Sequence, residues 1–514
     1  SILSVINSGY FVSDLILVDN INILNNYGGI KIACGGHVIM GNFNISNVNV
    51  GGLEIIGGAA DYMLVENMSV YNSEGIHIDA YANISINNVA TFNNYYGIII
   101  RGRNVTMANI DTYNNDYGII INGYSAGISI NNARVYQNKN TGLLINATDG
   151  DIVMLEIQNF LVRDNGGYSI LTTNNSEYGY YLTNFTMIHN ITIVNNTLGI
   201  LICAEGQIMI ANIEIYNATG HGIEIIGTKN SKFLIENISI GSCTCSGLII
   251  DVQGGALISN VNISNCIGDG VHLKGENIII RNIIIKNNSG SAFHIVGSSG
   301  DITIENTTIS ACLNGVYLNA SNGDIMNLVI NRTNILRCTN NAIITTYSEL
   351  YRYYATNITL ANLFIASCSE GIELYGDLHI VIRNSQLHDI YGSGLTIVGS
   401  IATYVAIDNI TIQHCYDYGV FVSTRGSITI KETEIRNIDG HGIYLHGVNI
   451  GINDVVVRDT AKYGIIIEGS SEDIVIKHVS LSNNSIAGLM FDAYSGDITN
   501  ILSLIHISEP TRPR

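Results

Sequence analysis

The sequence has no tryptophan, and among its 514 residues it has only 2 prolines. Both fall at the extreme end, Pro510 and Pro513. A body without proline can commit nearly every backbone N–H to a hydrogen-bonded ladder. Charge is also scarce: Asp, Glu, Lys and Arg make up 13% of the chain, with 23 basic against 42 acidic residues and a net charge of −19. No basic cluster relieves that balance, which argues against nucleic acid and against an anionic membrane surface as partners. No apolar run approaches the roughly 18 residues needed to cross a bilayer. No Pro-, Ser- or charge-rich linker divides the chain. The 9 cysteines are odd in number and lack zinc-finger spacing, so they fix no redox compartment.

What is present is a rhythm. "GIKI" at Gly29, "GLEI" at Gly52, "GIHI" at Gly75 and "GIII" at Gly97 and Gly118 begin a series that runs through Gly199, Gly270, Ala292, Ala342 and Gly442 to Gly488, about 21 units of roughly 23 residues. Each has a short apolar strand after the glycine, then a second strand of the form ITIxNIxIxN. Repeats of this length indicate a solenoid, propeller or array. Four- to five-residue strands with period-two alternation and no helical spacing select a β-solenoid.

In these repeats the chain resembles right-handed parallel β-helix proteins, the pectate-lyase-like architecture, over residues 1–501. The expected fold is therefore all-β: one continuous right-handed parallel β-helix. The end segment "LSLIHISEPTRPR", Leu502 to Arg514, resembles the conceptual translation of a sequencing adapter and is read as a non-native tail.

An asparagine recurs where the second strand opens its second half, at Asn47, Asn67, Asn88, Asn109 and onward to Asn409. Glu432, Asp454 and His478 follow, and then Asn500. Stacked coils about 4.8 Å apart would let each amide donate to the next. Rung asparagines in N-x-S/T triplets (Asn67, Asn190, Asn237, Asn306, Asn331, Asn409) are expected to be too buried to carry glycans. Asn146, Asn217, Asn287, Asn319 and Asn483 lie in turns and are the candidate glycosylation sites if the chain is secreted.

A longer period overlies the short one. "GIIIRGRNVTMANI" at Gly97 matches "GVHLKGENIIIRNI" at Gly270 and "GIYLHGVNIGINDV" at Gly442, a super-repeat of seven coils and about 172 residues. Two insertions follow it: "NNSEYGYYLTN", with Tyr178, Tyr180 and Tyr181, and "YSELYRYYATN", with Tyr351, Tyr353 and Tyr354. A catalytic loop is needed once, whereas a docking tongue is useful at every period. Plain tandem duplication is the alternative.

The resemblance also implies polysaccharide chemistry, since β-helix enzymes work with carboxylates and bases on a groove. "GHG" at His221 and "DGHG" at Asp439–Gly442 resemble one fragment of the polygalacturonase signature. The aspartate pair and the Asn-x-Asp motif that should accompany it are missing, so Asp439, His441 and His221 are catalytic candidates only under this second reading. Asp301 with Asp324, and Asp473 with Asp497, open strands of neighbouring coils; a hard cation such as Ca²⁺ would bridge each pair, with ordinary turn aspartates as the alternative. No cofactor is otherwise required. The leading expectation is an extracellular or cell-surface structural, adhesive or filament-forming protein that associates with itself or with other fibre proteins. A carbohydrate-active enzyme or a polysaccharide-binding module is the alternative.

Overall fold

A computed structural model describes residues 2–3, 15–57, 62–348, 350, 353–400 and 403–506. The chain is an all-β parallel β-solenoid, 73% strand, with about 21 turns roughly 23 residues apart. The described residues contain no α-helix, only the 3-10 turns Ala320–Asn322 and Ala493–Ser495. Contacts divide the chain into two compact units, Ser1–Ile258 and Ser259–Arg514.

In the first unit each coil-leading strand pairs in parallel with its counterpart one coil on. Ile119 lies beside Leu143, then Ile170, Ile200, Ile223 and Leu248 follow in register. These side chains are fully buried. Each contributes about 1.5–3 kcal/mol of transfer free energy relative to exposure. The alternation buries every second residue and leaves its neighbour outside, so one continuous apolar column forms without any layer of helices. The second unit repeats the scheme with Val271, Phe293, Val316, Ile343, Ile372, Leu395, Val420 and Ile443.

The coil-leading glycine has a steric origin. A Cβ at Gly199 would stand 1.8 Å from the Gly222 carbonyl oxygen, a separation that no side chain can occupy. Successive backbones thus meet closely at this corner.

The asparagine excess has a conformational origin as well as a hydrogen-bonding one. Asn67, Asn88, Asn109, Asn132, Asn159, Asn190, Asn212 and Asn237 all have φ between 51° and 55°. A chain that turns a corner between two strands needs one left-handed residue, and Asn adopts that region at less cost than other side chains bearing a Cβ. The amide ladder is also present: Asn88 donates to Asn67 at 2.7 Å and Asn237 to Asn212 at 3.0 Å.

Left-handed corners form more than one series, which corrects the sequence-based alignment. Asn47 belongs with Asn25 and Asn72, bonding at 3.0 and 2.8 Å. Asn500 donates to Asp473 at 2.9 Å instead of continuing from His478. The rung asparagines are also exposed, with the exception of half-buried Asn331. The expectation that they are too buried for glycans was wrong because the left-handed residue points outward at the bend.

Parallel pairing continues through Thr499–His506, so Leu502 to His506 of the expected tail extend a strand against Glu472–Ser482. Residues 507–514 lie outside the described residues.

Candidate functional site

Both tyrosine insertions fold as short antiparallel tongues on an otherwise parallel scaffold. In the first unit, Asn175 and Tyr180 exchange backbone hydrogen bonds at 3.0 Å each. In the second, Ser348 and Tyr353 do the same at 3.2 and 3.3 Å. The bases match as closely. The Tyr181 N–H donates to the Asp151 carboxylate at 2.9 Å, and the Tyr354 N–H to the Asp324 carboxylate at 2.9 Å. Ile152 N–H meets Tyr181 O at 3.1 Å, and Ile325 N–H meets Tyr354 O at 3.1 Å. Equivalent residues stand about 173 positions apart.

Asn146 and Asn319 hold the tongue bases. The Asn146 oxygen accepts from the Thr148 and Thr173 hydroxyls at 2.8 and 2.9 Å, and the Asn319 oxygen from Ser321 and Thr346 at 2.6 and 3.3 Å. In both cases the sequon's own hydroxyl is turned back onto its asparagine. Asn217, Asn287 and Asn483 are exposed left-handed corners whose amides donate to Asn195, Asn265 and Asp459 at 3.1, 3.4 and 3.0 Å. The expected contrast between rung and turn sequons therefore dissolves: these three are rungs of another series.

At the tongues, Tyr178 is 67% exposed and packs against Tyr180 at 6.2 Å between ring centroids; Tyr180 meets Tyr124 edge-on at 6.3 Å. Hydrogen bonding to Tyr180 raises the Tyr124 phenol above its ordinary range. Tyr354 stacks on Tyr347 at 5.9 Å, and Tyr347 on Tyr375 at 5.2 Å. Tyr351 lies outside the described residues.

The residues singled out for catalysis are not brought together. His441 lies flat between Tyr418 and Tyr463, with centroids 5.4 and 5.6 Å away. Burial lowers its pKa, helped by the Lys462 charge and opposed by Asp417. Asp439 instead lines a groove of about 620 Å³ with Asp389, Tyr391, His414, Tyr416 and Asn483. His221 accepts the Ser246 N–H on Nδ1 at 3.2 Å, which is structural work at a turn.

The aspartate pairs do not face each other either. Asp301 receives the Asn327 amide at 2.8 Å and Asp473 receives that of Asn500. Asp324 sits three residues before the position opposite Asp301, where its carbonyl accepts from Ser298 and Ser299. Sequence spacing placed them on neighbouring rungs, but register separates a turn residue from a corner residue.

Sequence reasoning missed a cluster in the second unit. Parallel pairing sets His272 beside His294, and the turn before His272 brings in Asp269. Asp269 Oδ2 lies 2.9 Å from His294 Nδ1 and 3.6 Å from His272 Nδ1, while its Oδ1 accepts the Ser291 N–H at 2.9 Å. The imidazoles meet edge to face at 4.7 Å, and His294 stacks on Tyr317 at 4.7 Å. Burial alone would raise the Asp269 carboxyl, but hydrogen bonds from both histidines and the Ser291 N–H hold it well below the usual carboxylate range. The available signal was "DGVHL" followed one coil later by "AFHI", with both histidines at the outward position of a coil-leading strand.

The fold and its outward sites define a right-handed parallel β-solenoid. Residues 221–359 and 350–503, together more than half of the chain, match the right-handed beta helix region, and the chain belongs to that family. No curated protein matches it by sequence. Among solved structures it is similar to a periplasmic alginate epimerase, AlgG, at 12% identity over 67% of this chain and 77% of that one, with a TM-score of 0.28. It is similar to the tailspike protein of Dettilon at 12% identity, 73% and 62% coverage and a TM-score of 0.27. The third is the catalytic domain of a GH87 alpha-1,3-glucanase at 13% identity, where 79% of this chain spans 64% of that domain with a TM-score of 0.24.

Proposed function

We propose that the chain is a non-catalytic structural or adhesive β-helix protein, working outside the cell, whose tyrosine tongues serve self-assembly or multivalent binding. The observation that carries this reading is the duplication of the tongue with its anchoring: Asp151 and Asp324 hold equivalent tyrosine N–H groups at 2.9 Å. Two copies of one aromatic element on a single chain gain avidity from a repetitive partner, or from further copies of the chain, without any new contact.

The test replaces Tyr178, Tyr180, Tyr353 and Tyr354 with Ser and follows particle size by sedimentation at high concentration, together with retention on immobilised glycans. Loss of assembly or retention supports the reading. A wild-type chain that stays monomeric and is retained by nothing refutes it.

A second reading, a polysaccharide-binding or polysaccharide-processing surface, is favoured by one feature of the second unit. Tyr391 and Tyr416, 71% and 68% exposed, flank Asp439 in its groove and leave ring faces free to stack on sugars. Turnover or retention of a polyuronate that disappears in Asp439→Asn together with Tyr416→Ala would favour it over the first.

A further inference from the structure

We propose that Asp269, His272 and His294 form a binding site for one divalent transition-metal ion, with zinc the best chemical fit. One ligand atom from each residue lies within 4.8 Å of the other two, and they are the group of three such donors found among the described residues. Zinc bonds of about 2.0–2.2 Å place neighbouring donors roughly 3–4 Å apart. The 2.9 and 3.6 Å separations from Asp269 Oδ2 fall at or near that range.

The donor set decides the class of ion. Two imidazoles and one carboxylate suit zinc, cobalt, nickel or copper, whereas calcium takes six to eight oxygens. The calcium expectation concerned other residues, Asp301, Asp324, Asp473 and Asp497.

The surroundings restrain each ligand. The Ser291 N–H occupies Asp269 Oδ1 and leaves Oδ2 for the ion. Strand register fixes His272 against His294, and Tyr317 covers a face of the His294 ring. His294 Nε2 lies 3.5 Å from the Asn319 amide nitrogen on the far side of the ring from Asp269. Side chains 19–35% exposed leave a path for solvent to a remaining coordination position.

The fold itself does not require this cluster. Seven coils later, in the same unit, the equivalent positions hold His441, Tyr444 and Ile466. Those coils pair in the same register, Tyr444 beside Ile466, without a carboxylate and two imidazoles. The tongues recur, whereas among the described residues this cluster occurs once.

The full chain, stripped with a chelator and dialysed, is titrated with zinc chloride by calorimetry and with cobalt chloride by visible absorption. The expected result is one zinc per chain, bound at least tenfold more tightly than by His294→Gln or Asp269→Asn, with His441→Gln unchanged and with excess calcium failing to displace it. Cobalt bound to the unmutated chain should give the intense visible bands of a four-coordinate site, a readout independent of how the variants fold. The proposal is overturned by no binding at micromolar zinc, by variants that bind like the wild type, by displacement with calcium, or by the weak bands of six-coordinate cobalt.

Discussion

One inner corner is built from different chemistry in the two units. In both, the residue after a left-handed corner turns inward. In the first unit this position holds a run of buried asparagines, Asn94, Asn115, Asn138, Asn165 and Asn196, between Val48 and Ser73 on one side and Ala218 and Cys243 on the other. Each carboxamide oxygen accepts the backbone N–H of the preceding coil's asparagine at 2.8–3.0 Å, from Asn115 through Asn196. The amide nitrogens reach carbonyls such as Val70 O at 2.8 Å and Val162 O at 3.1 Å. In the second unit the same position holds Cys266, Asn288, Cys312, Cys338, Cys368 and Cys415, with Ile390, Ile438, Thr460 and Asn484 completing the row. There Cys266 N–H still meets the Asn288 carboxamide oxygen at 2.9 Å, but Cys338 N–H meets the Cys368 sulfur at 3.4 Å, and the thiols lean on carbonyls two residues back, at 3.5 Å for Cys312 and 3.6 Å for Cys368.

The difference teaches what the corner needs. An asparagine satisfies two backbone groups of neighbouring coils and so becomes part of the ladder. A cysteine fills the same volume but offers a weak donor and a weak acceptor. The first unit therefore stores more of its corner stability in hydrogen bonds and the second more of it in packing.

The largest effect that would test this contrast is at Asn138. Replacing it with Leu strands the Asn115 N–H and should cost about 2–4 kcal/mol, read as a lower urea midpoint. Cys338→Ala removes packing and a poor acceptor and should cost only about 1–2 kcal/mol. Equal costs for the two variants would erase the contrast.

Thiol reactivity sharpens it next. The Cys338 thiol is pushed up by its hydrogen bond to Cys368 and by burial, and burial pushes Cys415 up to about 12. Half-exposed Cys245 should therefore react with a disulfide reagent in the folded state, while the buried corner cysteines react only on unfolding. Fast labelling of Cys338 in the folded chain would show that the corner is not closed.

The smallest effect is on pH dependence in the second unit. Burial lowers His441 and His388 below the ordinary histidine range. Their unfolded forms take up protons at higher pH, near 6.5, than their folded forms do. The stability they contribute is therefore full above about pH 6.5 and is lost as pH falls through the lower folded values. His441→Phe keeps a ring between Tyr418 and Tyr463 and should flatten the decline in melting temperature between pH 7 and 5. An unchanged slope would mean that His441 is not held neutral by the fold.

The coil was readable in the sequence because its steric and apolar requirements act on single positions: glycine where backbones meet, as at Gly199, and isoleucine or leucine at every second strand residue. The super-repeat and its two tyrosine insertions were readable too, but not their anchors Asp151 and Asp324, since an aspartate opening a strand looks like any other turn residue. Corners were harder. Left-handed asparagines recur five residues apart within a coil, so Asn47 and Asn72 cannot be told from Asn67 by residue type alone. The inner row at Asn94 and Asn115 hides behind them, because an Asn-Asn pair reads as a turn. Asp269, His272 and His294 escaped for another reason: register between strands brings them together, and the same uncertainty of register put Asp301 opposite Asp324 when its neighbour is Asn327.

The seven-coil period has an evolutionary consequence. Because each coil meets mainly the coils before and after it, a whole block can be copied or lost while each remaining strand keeps a partner of matching shape. The hydroxyl of Ser125 reaches Gly102 N–H at 3.1 Å, that of Ser299 reaches Gly275 at 3.1 Å, and that of Ser471 reaches Gly447 at 3.2 Å. Recombination between such blocks would change the number of tongues in whole steps, set by gene length, while the sequence of any one tongue stayed the same.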